Sequence, residues 1–234
     1  MSNSIENNKR IAKNTLLLYF RMFFMMIVSL YTSRIVLSTL GIEDFGIYNV
    51  VGGVVSMFSF LNGAMATSTQ RYLTFELGKE GNVDQMRKVF NASIIIHALI
   101  SIFILILAET VGMWFIYSYM TIPDSRMDAA LWVYQFSILS MIVLVMSVPY
   151  NACIIAHERM KVFAYISVLE VILKLLIVYI LVLGDIDKLK LYAVLIFCVQ
   201  LLIRFIYSNY CRRHFKETLF QLALNKKLLK EMTG

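Results

Sequence analysis

The length of the apolar runs is the feature that most constrains this 234-residue chain. Six runs fill most of the sequence, at about 14–37, 46–68, 92–116, 130–152, 162–183 and 190–210. A helix needs about 20 apolar residues to cross a bilayer. Backbone groups in hydrocarbon must satisfy one another, which favours helices. We therefore expect an all-α integral membrane protein whose residues 1–210 form one bundle of six transmembrane helices.

The composition supports a membrane protein and offers no catalytic motif. Hydrophobic residues make up 59% of the chain and charged residues 16%, whereas a soluble domain carries about 25% charged residues. The sequence shows no glycine-rich phosphate loop, nucleophile elbow or clustered acidic motif, so we expect no enzyme, cofactor or metal. We interpret the cysteines as small apolar residues, because their spacing offers no metal pattern: Cys153, Cys198 and Cys211.

The distribution of basic residues predicts the orientation of the chain. The net charge is +7, but most Lys and Arg residues outside the runs lie in the N-terminal segment, the second and fourth loops and the tail. The odd-numbered loops hold only Arg126, Lys188 and Lys190. This positive-inside bias places both termini in the cytoplasm. The positive charge therefore indicates topology, and we expect no nucleic-acid partner.

Six ionisable residues interrupt the apolar runs, each at a cost of about 2.5–3.5 kcal/mol near the bilayer centre. They are Arg21, Arg34, Glu109, Glu170, Lys174 and Arg204. Glu170 and Lys174 are spaced to pair on one helix, either as an internal ion pair or as part of a cavity. We predict that Arg21, Arg34, Glu170, Lys174 and Arg204 line a cationic cavity, since arginine suits phosphate. Glu109 and Glu170 are candidates for proton coupling.

A stripe of small residues lies within the second run, at steps of three and four residues. Its members are Gly52, Ser56, Ser59 and Gly63. Small residues on one helix face let a neighbouring backbone approach closely in a membrane. Close helix packing is the expectation at these positions, and a lining for a cavity is the alternative.

Two stretches carry a family resemblance. Residues 31–53 (YTSRIVLSTLGIEDFGIYNVVGG) and 60–72 (FLNGAMATSTQRY) resemble the polysaccharide-flippase branch of the multidrug/oligosaccharidyl-lipid/polysaccharide exporter superfamily, the O-antigen flippases of bacteria. The resemblance is specific over about 31–90 and diffuse beyond it. It implies a flippase of the bacterial inner membrane that moves undecaprenyl-diphosphate glycans to the outer leaflet by alternating access.

The resemblance also implies residues and partners. The first-helix arginine of the family corresponds to Arg34, and the family has two helical bundles around a cationic cavity. The expected partners are a lipid-linked oligosaccharide, the membrane, a second helical bundle and a glycan polymerase. The chain ends after one bundle, so we expect residues 211–234 to form a basic amphipathic tail or a linker to a missing second bundle.

Three alternatives stay open at this point. A six-helix protomer could dimerise, so that two copies replace the two bundles and carry another anionic or amphipathic substrate. The chain could instead be a scaffold for glycan-assembly enzymes, with the basic tail as its working part. A membrane enzyme acting on polyprenyl lipids would need clustered acidic residues for Mg²⁺, and Glu43, Asp44, Asp185 and Asp187 lie in short turns.

Overall fold

The computed structural model describes residues 2–79, 83–182 and 187–218, apart from the side chains of residues 2–11, 13, 61 and 62. These residues form helices joined by short turns, and no strand occurs within those ranges. The all-α prediction is therefore confirmed. Of the tail predicted over 211–234, residues 219–234 lie outside the described part of the chain, as does the predicted turn at Gly184 and Asp185.

The helices follow one another with few intervening residues. In chain order they are α1 (Ser2–Ser56), α2 (Ser59–Gly78), α3 (Val83–Leu107), a π-helical turn (Ala108–Gly112), α4 (Met113–Tyr119), a 3-10 turn (Asp124–Arg126), α5 (Met127–Ala156), α6 (Met160–Val182), α7 (Lys188–His214) and a final 3-10 turn (Lys216–Thr218). Within the described residues, the six apolar runs lie in these helices, with an interruption at Met57 and Phe58 and a π-helical turn at Ala108–Gly112.

Five helical stretches in the described ranges are long and apolar enough to cross a membrane. They are Asn14–Ser56, Val83–Tyr119, Asp124–Ala156, Met160–Val182 and Lys188–His214. This supports a membrane protein by length and composition. The number of crossings and the orientation in a bilayer stay predictions.

Gly41 reverses the direction of α1. Its φ of 82° and ψ of 170° fall in a region that is essentially restricted to glycine. Ser29 and Asn49 line one pocket, although a straight helix would hold them about 30 Å apart. The chain therefore doubles back at Gly41, and we name residues 14–40 the first arm and residues 42–56 the second arm.

The second predicted run, 46–68, is not one continuous helix. It is shared between the second arm and α2, which are separated at Met57 and Phe58. The Phe58 amide donates to the Val55 carbonyl at 3.1 Å, a tighter turn than the α-helical pattern. The helix after Ser56 is not among the five described stretches that are long and apolar enough to cross a membrane, so the six-helix count stays a prediction.

The third run contains a π-helical turn that is held by a neighbouring helix. The Tyr134 hydroxyl on α5 donates to the Ala108 carbonyl at 2.7 Å. A methyl group at Gly112 would lie 1.9 Å from the same hydroxyl. The turn therefore fits against α5 because residue 112 has no side chain and Tyr134 supplies a hydrogen bond.

Three connecting segments meet at one end of the molecule around Arg126. Its Nε donates to Asp44 Oδ1 at 2.8 Å and its Nη1 donates to Asp187 Oδ2 at 2.8 Å. Asp44 opens the second arm, and Asp187 also caps α7 by accepting from the Leu189 amide at 3.0 Å. We call Asp44, Arg126 and Asp187 the arginine clasp. It joins segments that are 82 and 61 residues apart in sequence.

Two buried clusters lie side by side in the bundle. One surrounds Phe90, Tyr150, Cys153 and Tyr207, and the other surrounds Val51 and Tyr134, among other residues. The side chains of Leu40, Tyr48 and Ile100 contact both clusters. Pockets between α1, α5, α6 and α7 border these clusters.

Candidate functional site

A polar seam runs between α1, α6 and α7. Lys174 Nζ donates to Glu170 Oε1 at 2.6 Å, and Gln200 Nε2 donates to the same oxygen at 3.2 Å. The structure thus forms the Glu170–Lys174 pair that the i,i+4 spacing predicts. A pocket of about 260 Å³ borders both residues together with the two arms of α1.

Arg21 belongs to the same seam, nearer the start of α6. Its Nη1 donates to Ser167 Oγ at 3.0 Å, and its guanidinium carbon lies 4.6 Å from the centre of the Phe163 ring. The buried Nε of Arg21 has no hydrogen-bond partner among the described residues. Phe163, Ser167, Glu170 and Lys174 follow one face of α6, which explains how one helix aligns the whole seam.

The small-residue stripe borders open space. A methyl group added at Gly52 or Gly63 would meet no atom within 4 Å, so no described backbone approaches closely at those two glycines. Gly52 and Ser56 instead line a pocket of about 380 Å³ between the second arm, α5 and α7. Ser59 and Gly63 are exposed. The expectation of close packing is therefore corrected at the two glycines, and the cavity alternative fits Gly52 and Ser56.

Arg204 lies in a different pocket, between α5 and α7. This pocket has a volume of about 530 Å³ and is lined by Tyr150, Leu201, Arg204, Phe205, Ser208, Asn209 and Arg212. The guanidinium carbon of Arg204 lies 5.6 Å from the centre of the Tyr150 ring. Its Nη1 is buried without a hydrogen-bond partner in the described part of the chain. We call this the Arg204 pocket.

The charge of the Arg204 pocket is uncompensated within its own lining. Arg204 and Arg212 are close enough for their charges to act on each other, and the described lining contains no acidic residue. Ser208 and Asn209 add neutral hydrogen-bonding groups between them. Because guanidinium groups donate in a planar fork that matches phosphate, this lining has the chemistry of an anion-binding site.

The apolar members of the Arg204 pocket face outward. The exposed fraction is 42% for Leu201 and 67% for Phe205. Arg204 lies ten residues before the end of α7, which corresponds to about 15 Å along the helix axis. The pocket therefore combines cationic groups near one end of the bundle with an exposed apolar rim.

The remaining predicted residues lie apart from these pockets. Arg34 is exposed on the first arm. Glu109 is exposed in the π-helical turn and accepts from Gln135 Nε2 at 3.3 Å. The structure thus brings Arg21, Glu170 and Lys174 into one seam and places Arg204 in another pocket. Neither Arg34 nor Glu109 lines the pockets beside Glu170 and Arg204, and a single cavity shared by the five residues stays a prediction.

Sequence reasoning missed Arg212 as a member of the site. Arg212 falls within the predicted basic tail over 211–234, although Arg204, Ser208 and Arg212 are spaced four residues apart on one helix. That spacing was the available signal. No sequence pattern predicted that Tyr150 lines this pocket, because Tyr150 belongs to α5 and its place there depends on how α5 and α7 cross.

Comparisons with known proteins found no relative of this chain. No protein-family model, curated protein or solved structure matches the chain.

Proposed function

We propose that this protein is a membrane transporter of the polysaccharide-flippase type, which moves a lipid-linked oligosaccharide across the bacterial inner membrane. In this proposal the Arg204 pocket binds the diphosphate of an undecaprenyl-diphosphate glycan. The protein performs no covalent chemistry. Its task is to lower the cost of carrying a charged headgroup through about 30 Å of hydrocarbon.

The observation that carries the proposal is that two guanidinium groups line one pocket whose described lining contains no Asp or Glu. Burying an anion in an apolar environment is costly unless opposite charges and hydrogen-bond donors replace water. Arg204 and Arg212 supply both, and Arg204 Nη1 is a buried donor without a described partner. The volume of about 530 Å³ lies in the usual range of about 300–1,000 Å³ for ligand pockets.

The exposed rim of the pocket supports a lipid as the carrier of that anion. A polyprenyl chain could stay in the bilayer against Leu201 and Phe205 while its headgroup contacts the arginines. The polar seam offers a second set of polar groups, and Gln200 connects it to the 380 Å³ pocket because its side chain lines that pocket and donates to Glu170. Headgroup binding and a polar path are the two features that a flippase requires.

The proposal is tested by measuring binding of undecaprenyl diphosphate to the purified chain in lipid nanodiscs. We expect tighter binding of the diphosphate than of undecaprenyl monophosphate, and little binding of undecaprenol. Arg204→Ala should weaken diphosphate binding by about 10- to 100-fold, because a hydrogen bond to a charged group contributes about 1.5–3 kcal/mol.

Arg213→Ala is the matched control. Arg213 is exposed on the same helix and does not line the pocket, so its removal should change the affinity less than about twofold through screened charge. Equal affinity for undecaprenol and the diphosphate would contradict the proposal. So would equal losses in Arg204→Ala and Arg213→Ala, because they would indicate nonspecific attraction to basic residues.

A further inference from the structure

A cluster of metal-ligating side chains lies at the opposite end of the bundle from the arginine clasp. Cys153 lies in the last turn of α5, His157 follows directly as the C-cap of that helix, and Glu217 lies in the short turn after α7. One ligand atom from each lies within 4.8 Å of the other two. His157 Nε2 contacts Glu217 Oε1, and Cys153 Sγ is 4.0 Å from the same oxygen.

The surroundings of the cluster hold these atoms in place. The Cys153 side chain is fully buried and Glu217 is only 5% exposed. The His157 ring stacks on Phe215 with ring centres 4.1 Å apart. Cys211, also buried, contacts Cys153 and donates to the Tyr150 carbonyl at 3.5 Å. A buried carboxylate is costly without a charged partner, and a protonated His157 or a metal ion bound between the two residues can supply that charge to Glu217.

We propose that Cys153 Sγ, His157 Nε2 and a Glu217 carboxylate oxygen bind a Zn²⁺ ion. Sulfur, imidazole and carboxylate together are a donor set that zinc accepts in tetrahedral geometry, whereas Mg²⁺ and Ca²⁺ prefer oxygen alone. A thiolate and a carboxylate balance the charge of the ion, which suits a buried site. Binding releases the thiol proton of Cys153 to solvent.

The three residues leave one position of a tetrahedral ion for a water molecule, because Cys211 is not among the residues whose ligand atoms lie within 4.8 Å of one another. The ion would tie the end of α5 to the segment after α7 across a separation of 60 residues. The spacing of the cysteines in sequence gave no sign of this site. Its ligands come from two separate elements, and one of them is a glutamate.

The test is metal analysis of the full chain, purified in detergent without chelator and under reducing conditions. We expect about one zinc ion per chain, as a single site requires, in the wild type and in Cys198→Ser. Cys198 is an exposed thiol on the same helix as Cys211, so it controls for adventitious thiol binding. Cys153→Ser and His157→Gln should each lose the zinc.

Titration of the metal-free wild-type chain with Co²⁺ keeps the test independent of how the variants fold. A thiolate-to-cobalt absorption band that Zn²⁺ displaces at one equivalent would support the site. Absence of zinc together with absence of that band would overturn it, and would leave His157 and Glu217 as a hydrogen-bonded pair. A Cys153–Cys211 disulfide in chains alkylated during lysis would also overturn it, because it would consume the ligand thiol.

Discussion

At the residue scale, the contact between Gly112 and Tyr134 shows how one missing side chain permits helix contact. The Ala108 carbonyl accepts both the Met113 amide, in the π-helical pattern, and the Tyr134 hydroxyl. The hydroxyl occupies the space where a side chain at residue 112 would begin. The hydrogen bond and the close approach therefore depend on the same atom, so the two residues should be energetically coupled.

We expect Gly112→Ala to destabilise the protein by about 1–3 kcal/mol, because overpacking forces neighbours to shift. Tyr134→Phe removes the hydroxyl and should by itself cost about 1 kcal/mol. In the double variant the cost of Gly112→Ala should be clearly smaller than in the wild type. Thermal unfolding of the four proteins in detergent measures this coupling.

Gly46→Ala provides the matched control, because a methyl group there would meet no atom within 4 Å. It should leave stability unchanged or raise it by about 0.5–1 kcal/mol, the usual effect of alanine in a helix. If the destabilisation of the double variant equals the sum of the destabilisations of Gly112→Ala and Tyr134→Phe, the contact between these two residues is absent in the folded protein.

At the element scale, the arginine clasp fixes the ends of three connecting segments. The side chains of Arg126, Asp44 and Asp187 are each less than a third exposed, so their charges are partly shielded from water. Burial raises the pKa of Asp187, but hydrogen bonds and attraction from Arg126 outweigh that effect and lower the pKa below its usual value. The clasp is therefore a source of pH-dependent stability.

We expect Asp187→Asn to lower stability by about 1–2 kcal/mol near neutral pH, since it removes one charged partner of Arg126. Asparagine still caps a helix well, so the start of α7 should persist. Asp187 has a lowered folded pKa, and its stabilisation is full above the unfolded value of about 3.9. The difference from wild type should shrink as the pH falls through the lowered pKa.

Thermal unfolding of both proteins between neutral and strongly acidic pH measures this difference. Asp128→Asn is the control, because Asp128 pairs with Lys190 but its side chain is 74% exposed. Its effect should be small at every pH. A stability difference for Asp187→Asn that grows on acidification would contradict the account of the clasp.

The sequence predicted the elements of this fold better than their contacts. Apolar length located the helices, and the i,i+4 rule located the Glu170–Lys174 pair, because both signals are local. The short turn predicted around Glu43 and Asp44 lies next to the reversal of α1 at Gly41. The clasp and the Cys153–His157–Glu217 cluster were missed, since Arg126 is 61 or more residues from its two partners and Glu217 is 60 residues from His157, so no local pattern relates them.

The candidate site was predicted only in part for the same reason. Because Arg204 and Lys174 lie within apolar runs, the sequence marked them as charges that need an explanation. It could not show that they lie in separate pockets. The position of Arg212 was visible only as a helical repeat with Arg204. Whether two arginines share a pocket depends on which residue of α5, here Tyr150, closes it.

At the scale of the whole molecule, the apolar surface and the charged pockets together suit a membrane transporter. The first arm exposes large apolar side chains, including Leu16, Phe20 and Phe23, as expected of a surface that faces lipid or a second helical bundle. Positive charge lies in the polar seam beside this arm, at Arg21 and Lys174, and in the Arg204 pocket between α5 and α7. We infer that a charged headgroup moves along these polar groups while its lipid chain remains in the bilayer.

The most direct test of this account is a transport measurement in vesicles reconstituted with the chain. A fluorescent undecaprenyl-diphosphate saccharide is placed in both leaflets, and a membrane-impermeant quencher reports how fast the inner pool reaches the outer surface. The account predicts faster exchange than in protein-free vesicles, little change in Arg213→Ala and at least about a tenfold slower rate in Arg204→Ala, given the loss of a charge-assisted contact. Exchange no faster than in protein-free vesicles, or an equal rate in Arg204→Ala and wild type, would contradict it.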